Sequence, residues 1–379
     1  MRHALKASED MKATMTLFRR KIGFDQSTLK YLVTALLFSL LLSGCVISPR
    51  RTIGGGGGGG GATPSPTPTP QPGAQGILYV ANQGDDSIVR FANAASADAN
   101  VAPAATIKGT LTTLNAPNYI FLDSANDRLY VTNQGGASVL VFDSASTLTG
   151  NAPPTRVITG ANTRLTIPVD VAVDSVKDLL YVVNGSDVLV FSPASTVSND
   201  AAFTRDITLS FQPSAMFLDA ANDRLFLADA VGNAINVFDS ASTLNGVATA
   251  TRSIKGASTK MNQPSGVAVE AVGNLVALNQ GSNSITVYPN AGAGTGDIPA
   301  AVEIFGANTT LSLPFQLAVN RSNTLVEAFV ANSNGGNVPI FSDLGSKTGN
   351  IAPSRNINGA ATTLSATGAP TGIALDPTR

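Results

Sequence analysis

The chain has 379 residues, 43% of them hydrophobic and 13% charged, with 24 Lys and Arg against 25 Asp and Glu. That is too apolar for a disordered chain and too balanced in charge for a nucleic-acid groove. The first 44 residues hold seven of the basic and three of the acidic residues, so residues 45–379 carry a net charge of −5, and polyanion binding by counterion release is disfavoured.

Residues 1–44 read as a targeting segment. A basic stretch containing Arg19, Arg20, Lys21 and Lys30 precedes the apolar run Tyr31–Leu42, and Leu42-Ser43-Gly44-Cys45 follows, with Met11 and Met15 as alternative starts. The pattern resembles a bacterial lipoprotein signal, in which a Leu and two small residues precede an invariant Cys. The resemblance implies cleavage before Cys45 and a diacylglycerol on its thiol, hence a lipid bilayer as partner and an address in the bacterial cell envelope. Val46 stands where an Asp tends to retain a Gram-negative lipoprotein in the inner membrane, which resembles an outer-membrane address. An uncleaved membrane helix and a soluble secreted product are the competing readings; a span needs about 20 apolar residues and roughly 12 to 17 are present. Cys45 is the one cysteine, so no intrachain disulfide can form.

Residues 45–76 form a linker by composition. Gly54–Gly61 is an unbroken glycine run that cannot offset its ordering entropy, and Pro64, Pro66, Pro68, Pro70 and Pro72 favour extended polyproline geometry.

From Ile77 to Arg379 the chain repeats. The strand Leu78-Tyr79-Val80-Ala81-Asn82 recurs beginning at Leu129, Leu180, Leu225, Leu275 and Ala328, with spacings of 51, 51, 45, 50 and 53 residues. Each copy continues through a Gly/Asn/Asp turn into an alternating strand such as Ser138-Val139-Leu140-Val141-Phe142-Asp143, whose period of two marks one buried face. A third segment, such as Arg156-Val157-Ile158, leads through a loop and a Pro to a nearly continuous apolar run such as Val171-Ala172-Val173-Asp174, which suits a strand buried on both faces. Four strands per repeat of about 50 residues predict an all-β, six-bladed β-propeller. The first copy lacks its apolar strand and Ile373-Ala374-Leu375-Asp376 supplies one at the other end, so the C-terminal strand is expected to complete the first blade and close the ring.

These runs resemble the NHL and YVTN class of propeller repeats, with a Pro-x-x-aliphatic-Ala-aliphatic-Asp strand before an aliphatic-Tyr-Val-x-Asn/Asp strand. The resemblance covers Ile77–Arg379. It implies a ring that serves as a lactonase, a lyase, or a protein- or carbohydrate-binding scaffold.

The chemistry available is narrow. The one histidine, His3, lies in the segment expected to be removed, and the chain has no Trp. That excludes Ser-His-Asp and Cys-His catalysis and His-ligated metals from the mature chain, leaving carboxylates, amides and hydroxyls. In a propeller of this type the inner-strand entrances and the loops after the second strands ring the channel on one face. The candidate binding residues there are Asn118, Asp170, Ser214, Ser265, Gln316 and Thr371. Oxygen ligands of this kind suit Ca²⁺ or a neutral polar ligand such as a glycan, with Asn118 and Asp170 the candidate metal ligands. The six Asn/Gly-rich turns need no ligand, because these residues tolerate left-handed backbone and bond their own main chain; Asp123, Asp174, Asp219 and Asp376 read as turn-forming in the same way. Two functions follow. One is a membrane-anchored, non-catalytic scaffold without a cofactor that presents a polar channel face to a protein or glycan. The alternative resembles the Ca²⁺-dependent gluconolactonase-type hydrolases, whose expected Glu ligand is missing here.

Overall fold

A computed structural model describes residues 76–320 and 326–379. The expected signal segment, Cys45 and almost all of the linker lie outside the described residues.

The strands form six sheets, antiparallel except that the short strand Gly246–Val247 adds parallel to the outer edge of the blade 3 sheet. Blade 2 is typical: inner strand Pro117–Asp123, second strand Arg128–Asn133, third strand Ser138–Asp143 and outer strand Arg156–Ile158. The other inner strands are Pro168–Asp174 in blade 3, Ala215–Asp219 in blade 4, Pro264–Val269 in blade 5, Pro314–Asn320 in blade 6 and Pro370–Asp376 in blade 1. Consecutive inner strands adjoin, and those of blades 6, 1 and 2 adjoin in turn, so the ring is closed. Closure occurs as expected: Pro370–Asp376 pairs antiparallel with Ile77–Asn82, Leu78 opposite Leu375 and Val80 opposite Ile373.

The core lies between blades. Six buried apolar clusters lie between neighbouring blades, that between blades 4 and 5 also taking in Tyr119 of blade 2, because the alternating side chains of a twisted sheet present apolar rows to both sides. At the junction of blades 2 and 3, Tyr130, Val139 and Val141 pack against Val182, Leu189 and Phe191. At the closing junction Leu78 and Phe91 pack against Phe329 and Ile340. Each such side chain is worth about 1.5–3 kcal/mol on burial, so the ring is held by the apolar joints as well as by the strand ladders.

Inner strands enter irregularly. The register slips just after the entrance proline, between Pro117 and Ile120 in blade 2 and between Pro168 and Val171 in blade 3. A bulge of this kind takes peptide groups out of their own ladder and re-aims side chains. Those freed groups build the site described next.

Candidate functional site

Each of the six junctions is bridged, at the channel entrance, by one side chain bonded to the backbone of the next inner strand. Thr132 Oγ1 donates to the Val169 carbonyl at 3.0 Å, joining blade 2 to blade 3. The Met216 N–H donates to Asp170 Oδ2 at 2.6 Å, joining 3 to 4. Ser214 Oγ donates to the Pro264 carbonyl at 2.6 Å and Ser265 Oγ to the Pro314 carbonyl at 2.8 Å, joining 4 to 5 and 5 to 6. The Ile373 N–H donates to Gln316 Oε1 at 2.6 Å, and Thr371 Oγ1 donates to the Pro117 and Asn118 carbonyls at 3.2 Å, completing the circuit through blade 1.

Five of the six bridging residues, Asp170, Ser214, Ser265, Gln316 and Thr371, were expected from sequence as channel-face binding residues; in the structure their side chains engage neighbouring backbone. Thr132 was missed: it sits inside the second strand of blade 2, where Val183, Ala228 and Leu278 are the corresponding residues, so its hydroxyl was the available signal. Asn118 contributes its carbonyl to the circuit, and its buried Oδ1 has no hydrogen-bond partner among the described residues.

Two longer side chains cross inside this circuit. Tyr119 extends from blade 2 to blade 5, donating its hydroxyl to the Ser265 carbonyl, and packs against Phe315 with ring centroids 5.4 Å apart. Gln316 reaches from blade 6 past blade 1 to blade 2, where its amide Nε2 donates to the Ile120 carbonyl at 3.2 Å. Space for the crossing comes from small residues at the matching position elsewhere. At Gly372 a Cβ would stand 2.4 Å from the Asn118 carbonyl oxygen.

Burial sets the electrostatics. It pushes the Tyr119 phenol well above its ordinary value, with the nearby Asp170 charge adding to the rise, so the hydroxyl stays a donor. Burial also pushes Asp170 up to about 7, against the opposing pull of the Met216 and Val171 N–H groups that bond its carboxylate. Beyond this layer the channel holds a cavity of about 180 Å³ whose wall includes Phe121, Leu122, Phe217, Leu218, Val319 and Leu375. Its lining is mainly apolar.

The Asn/Gly turns do what their composition implies. Asn133 Oδ1 accepts from the Asn115 N–H at 2.7 Å and its Nδ2 donates to the Thr113 carbonyl; Asn332 repeats the pattern with Ser312 and Thr310. Asp123 and Asp174 accept N–H groups of their own turns, from Asn126 and Lys177. Calcium fits the two expected ligands poorly. Both Asp170 oxygens already take backbone N–H groups, and among the described residues no three His, Cys, Asp or Glu side chains gather in a way that could hold a metal.

No family model matches the chain, and no curated protein matches it. Solved structures do. A chain of a nidogen/laminin complex is similar at 12% identity with a TM-score of 0.54, covering 79% of this chain and 98% of that one. A protein of unknown function from Bacteroides caccae aligns over the same shares at 10% identity and a TM-score of 0.52. A functionally unknown protein from Desulfotomaculum acetoxidans does so at 14% identity and a TM-score of 0.50. At these identities the likeness is one of fold.

Proposed function

We propose that this protein is a lipid-anchored, non-catalytic propeller of NHL/YVTN type in a bacterial cell envelope, at the outer membrane if the cell is Gram-negative. Cys45 carries the lipid, residues 45–76 act as spacer, and the ring holds a protein or glycan partner on its surface. The observation that carries the reading is the circuit of six bridges: the polar side chains nearest the channel entrance lock neighbouring blades together, as suits a rigid support. The charge of −5 on residues 45–379 is in keeping with a partner other than nucleic acid.

Fractionation of cells expressing Cys45→Ser tests the anchor. Release of the protein from the membrane fraction is expected, and continued membrane association overturns lipidation at Cys45. The competing hydrolase reading draws on the unpartnered Asn118 Oδ1. It requires that millimolar Ca²⁺ raise the melting temperature, since a ligand bound only by the folded state stabilises it.

A further inference from the structure

The connections between blades are not alike. In five of the six, the chain passes from an outer strand to the next inner strand through a single 3-10 turn bearing a fully buried threonine: Thr112, Thr163, Thr259, Thr309 or Thr362. An Asn or Asp of the following blade caps each turn, as Asn151 Oδ1 does for the Leu111 N–H and Asp200 Oδ1 for the Asn162 N–H, both at 2.7 Å. Between blades 3 and 4 this turn is missing. The outer strand of blade 3, Arg205–Thr208, is followed by four residues and then Pro213, and the capping position is Val247, which is 88% exposed. In its place is a groove of about 420 Å³, within the usual range for small-molecule sites.

The groove is lined with polar groups that the protein leaves unused. Asp229 stands where the other five second strands end in Asn. Its Oδ1 accepts the Gly232 N–H at 2.8 Å, and its Oδ2 has no partner among the described residues. Asn236, on the third strand of blade 4, Ala234–Asp239, is 9% exposed, and its amide bonds no described protein group. Its cross-strand neighbour Ser253, which does not itself line the groove, has a buried hydroxyl without a partner among the described residues. The equivalent pair is Leu140 and Val157 in blade 2 and Thr286 and Glu303 in blade 5, so the position accepts apolar or polar side chains according to its surroundings. Asn236 is thus largely buried yet keeps its amide donors and acceptor free toward the groove, where a polar ligand could use them. Lys255 makes no ion pair among the described residues, and Phe211, Leu209 and Phe238 supply apolar wall.

We propose that this groove between blades 3 and 4 binds a saccharide. One carboxylate, one amide and one ammonium balance in charge, hydroxyls match groups that both donate and accept, and the apolar wall suits the C–H face of a sugar ring. The assignment rests on the scaffold reading above and names its ligand class and place.

The test is saturation-transfer NMR on the full chain with millimolar glucose, galactose, mannose and N-acetylglucosamine, with leucine as a zwitterionic control. At least one sugar is expected to receive saturation. Its affinity is expected to fall at least tenfold both in Asn236→Leu/Ser253→Val, which installs the blade 2 pair, and in Lys255→Ala, which alters an exposed side chain and leaves the core intact. No transfer to any sugar, transfer to leucine alone, or unchanged sugar affinity in the folded Lys255→Ala and double variants would each overturn the proposal. None of these results bears on the lipid anchor, which Cys45→Ser tests separately.

Discussion

Tyr119 and Ser265 join opposite sides of the ring: the phenol of blade 2 donates to the main-chain carbonyl of blade 5, three positions away around the circle. The same hydroxyl also reaches the Phe315 carbonyl of blade 6 at 3.2 Å and Gln316 reaches one blade beyond its neighbour, while the six junction bridges run to adjacent inner strands. The Tyr119 hydroxyl therefore measures whether the far halves of the ring hold their distance.

Tyr119→Phe keeps the ring stacked on Phe315 and removes the donor, leaving the Ser265 carbonyl short of a partner in a buried place. A loss of about 1–3 kcal/mol is expected from urea unfolding, the usual cost of orphaning a buried polar group. An unchanged midpoint would mean that water substitutes freely for the phenol.

Asp170 should make stability depend on pH in the direction opposite to an ordinary ion-paired carboxylate. Its folded pKa, about 7, lies above its ordinary value of 3.8, so between those values the folded state holds more protons than the unfolded one and stability falls as pH rises. Below about pH 4 the contribution is fully present; above about pH 7 it is gone. Asp170→Asn is expected to flatten the melting-temperature profile between pH 4 and 7, and an unaltered slope there would assign the dependence to other groups.

Removing residues 371–379 strips blade 1 of its inner strand and exposes the edge of Ile77–Asn82. Size-exclusion chromatography is expected to show aggregation or loss of the compact monomer. A truncated protein with the melting temperature of the full chain would contradict the closure.

Gly372→Ala places a methyl group 2.4 Å from the Asn118 carbonyl oxygen, within the circuit where Thr371 holds that same carbonyl. Destabilisation of about 1–3 kcal/mol is expected, the range for overpacking a tight interior. Thermal melting beside Gly368→Ala gives the comparison, since at Gly368 the nearest atom is the end of the Asp85 side chain, which can give way.

Much of this architecture was legible in the residues. The Leu-Tyr-Val-Ala-Asn copies, their spacing and the displaced strand at Ile373–Asp376 specified six blades and the joint that closes them, because strand alternation and burial follow directly from apolar periodicity. Asp123 and Asp174 also behave as turn formers. The partners of the entrance residues were not legible. Ser214, Ser265 and Thr371 sit beside the channel in sequence logic, but which carbonyl they meet depends on a bulge in a different blade, and a bulge has no residue signature of its own. The groove had left one trace: the spacing of 45 residues, shortest of the five, falls at the connection where the buried-threonine turn is absent.

The pairing of Ile77–Asn82 with Pro370–Asp376 has a kinetic consequence. The chain emerges N-terminus first, so the first strands are in place before their partner and the incomplete ring carries two unpaired rims. The final strand acts as the latch that ends that exposed period, because the pairing it supplies joins residues far apart in sequence and is slow to form.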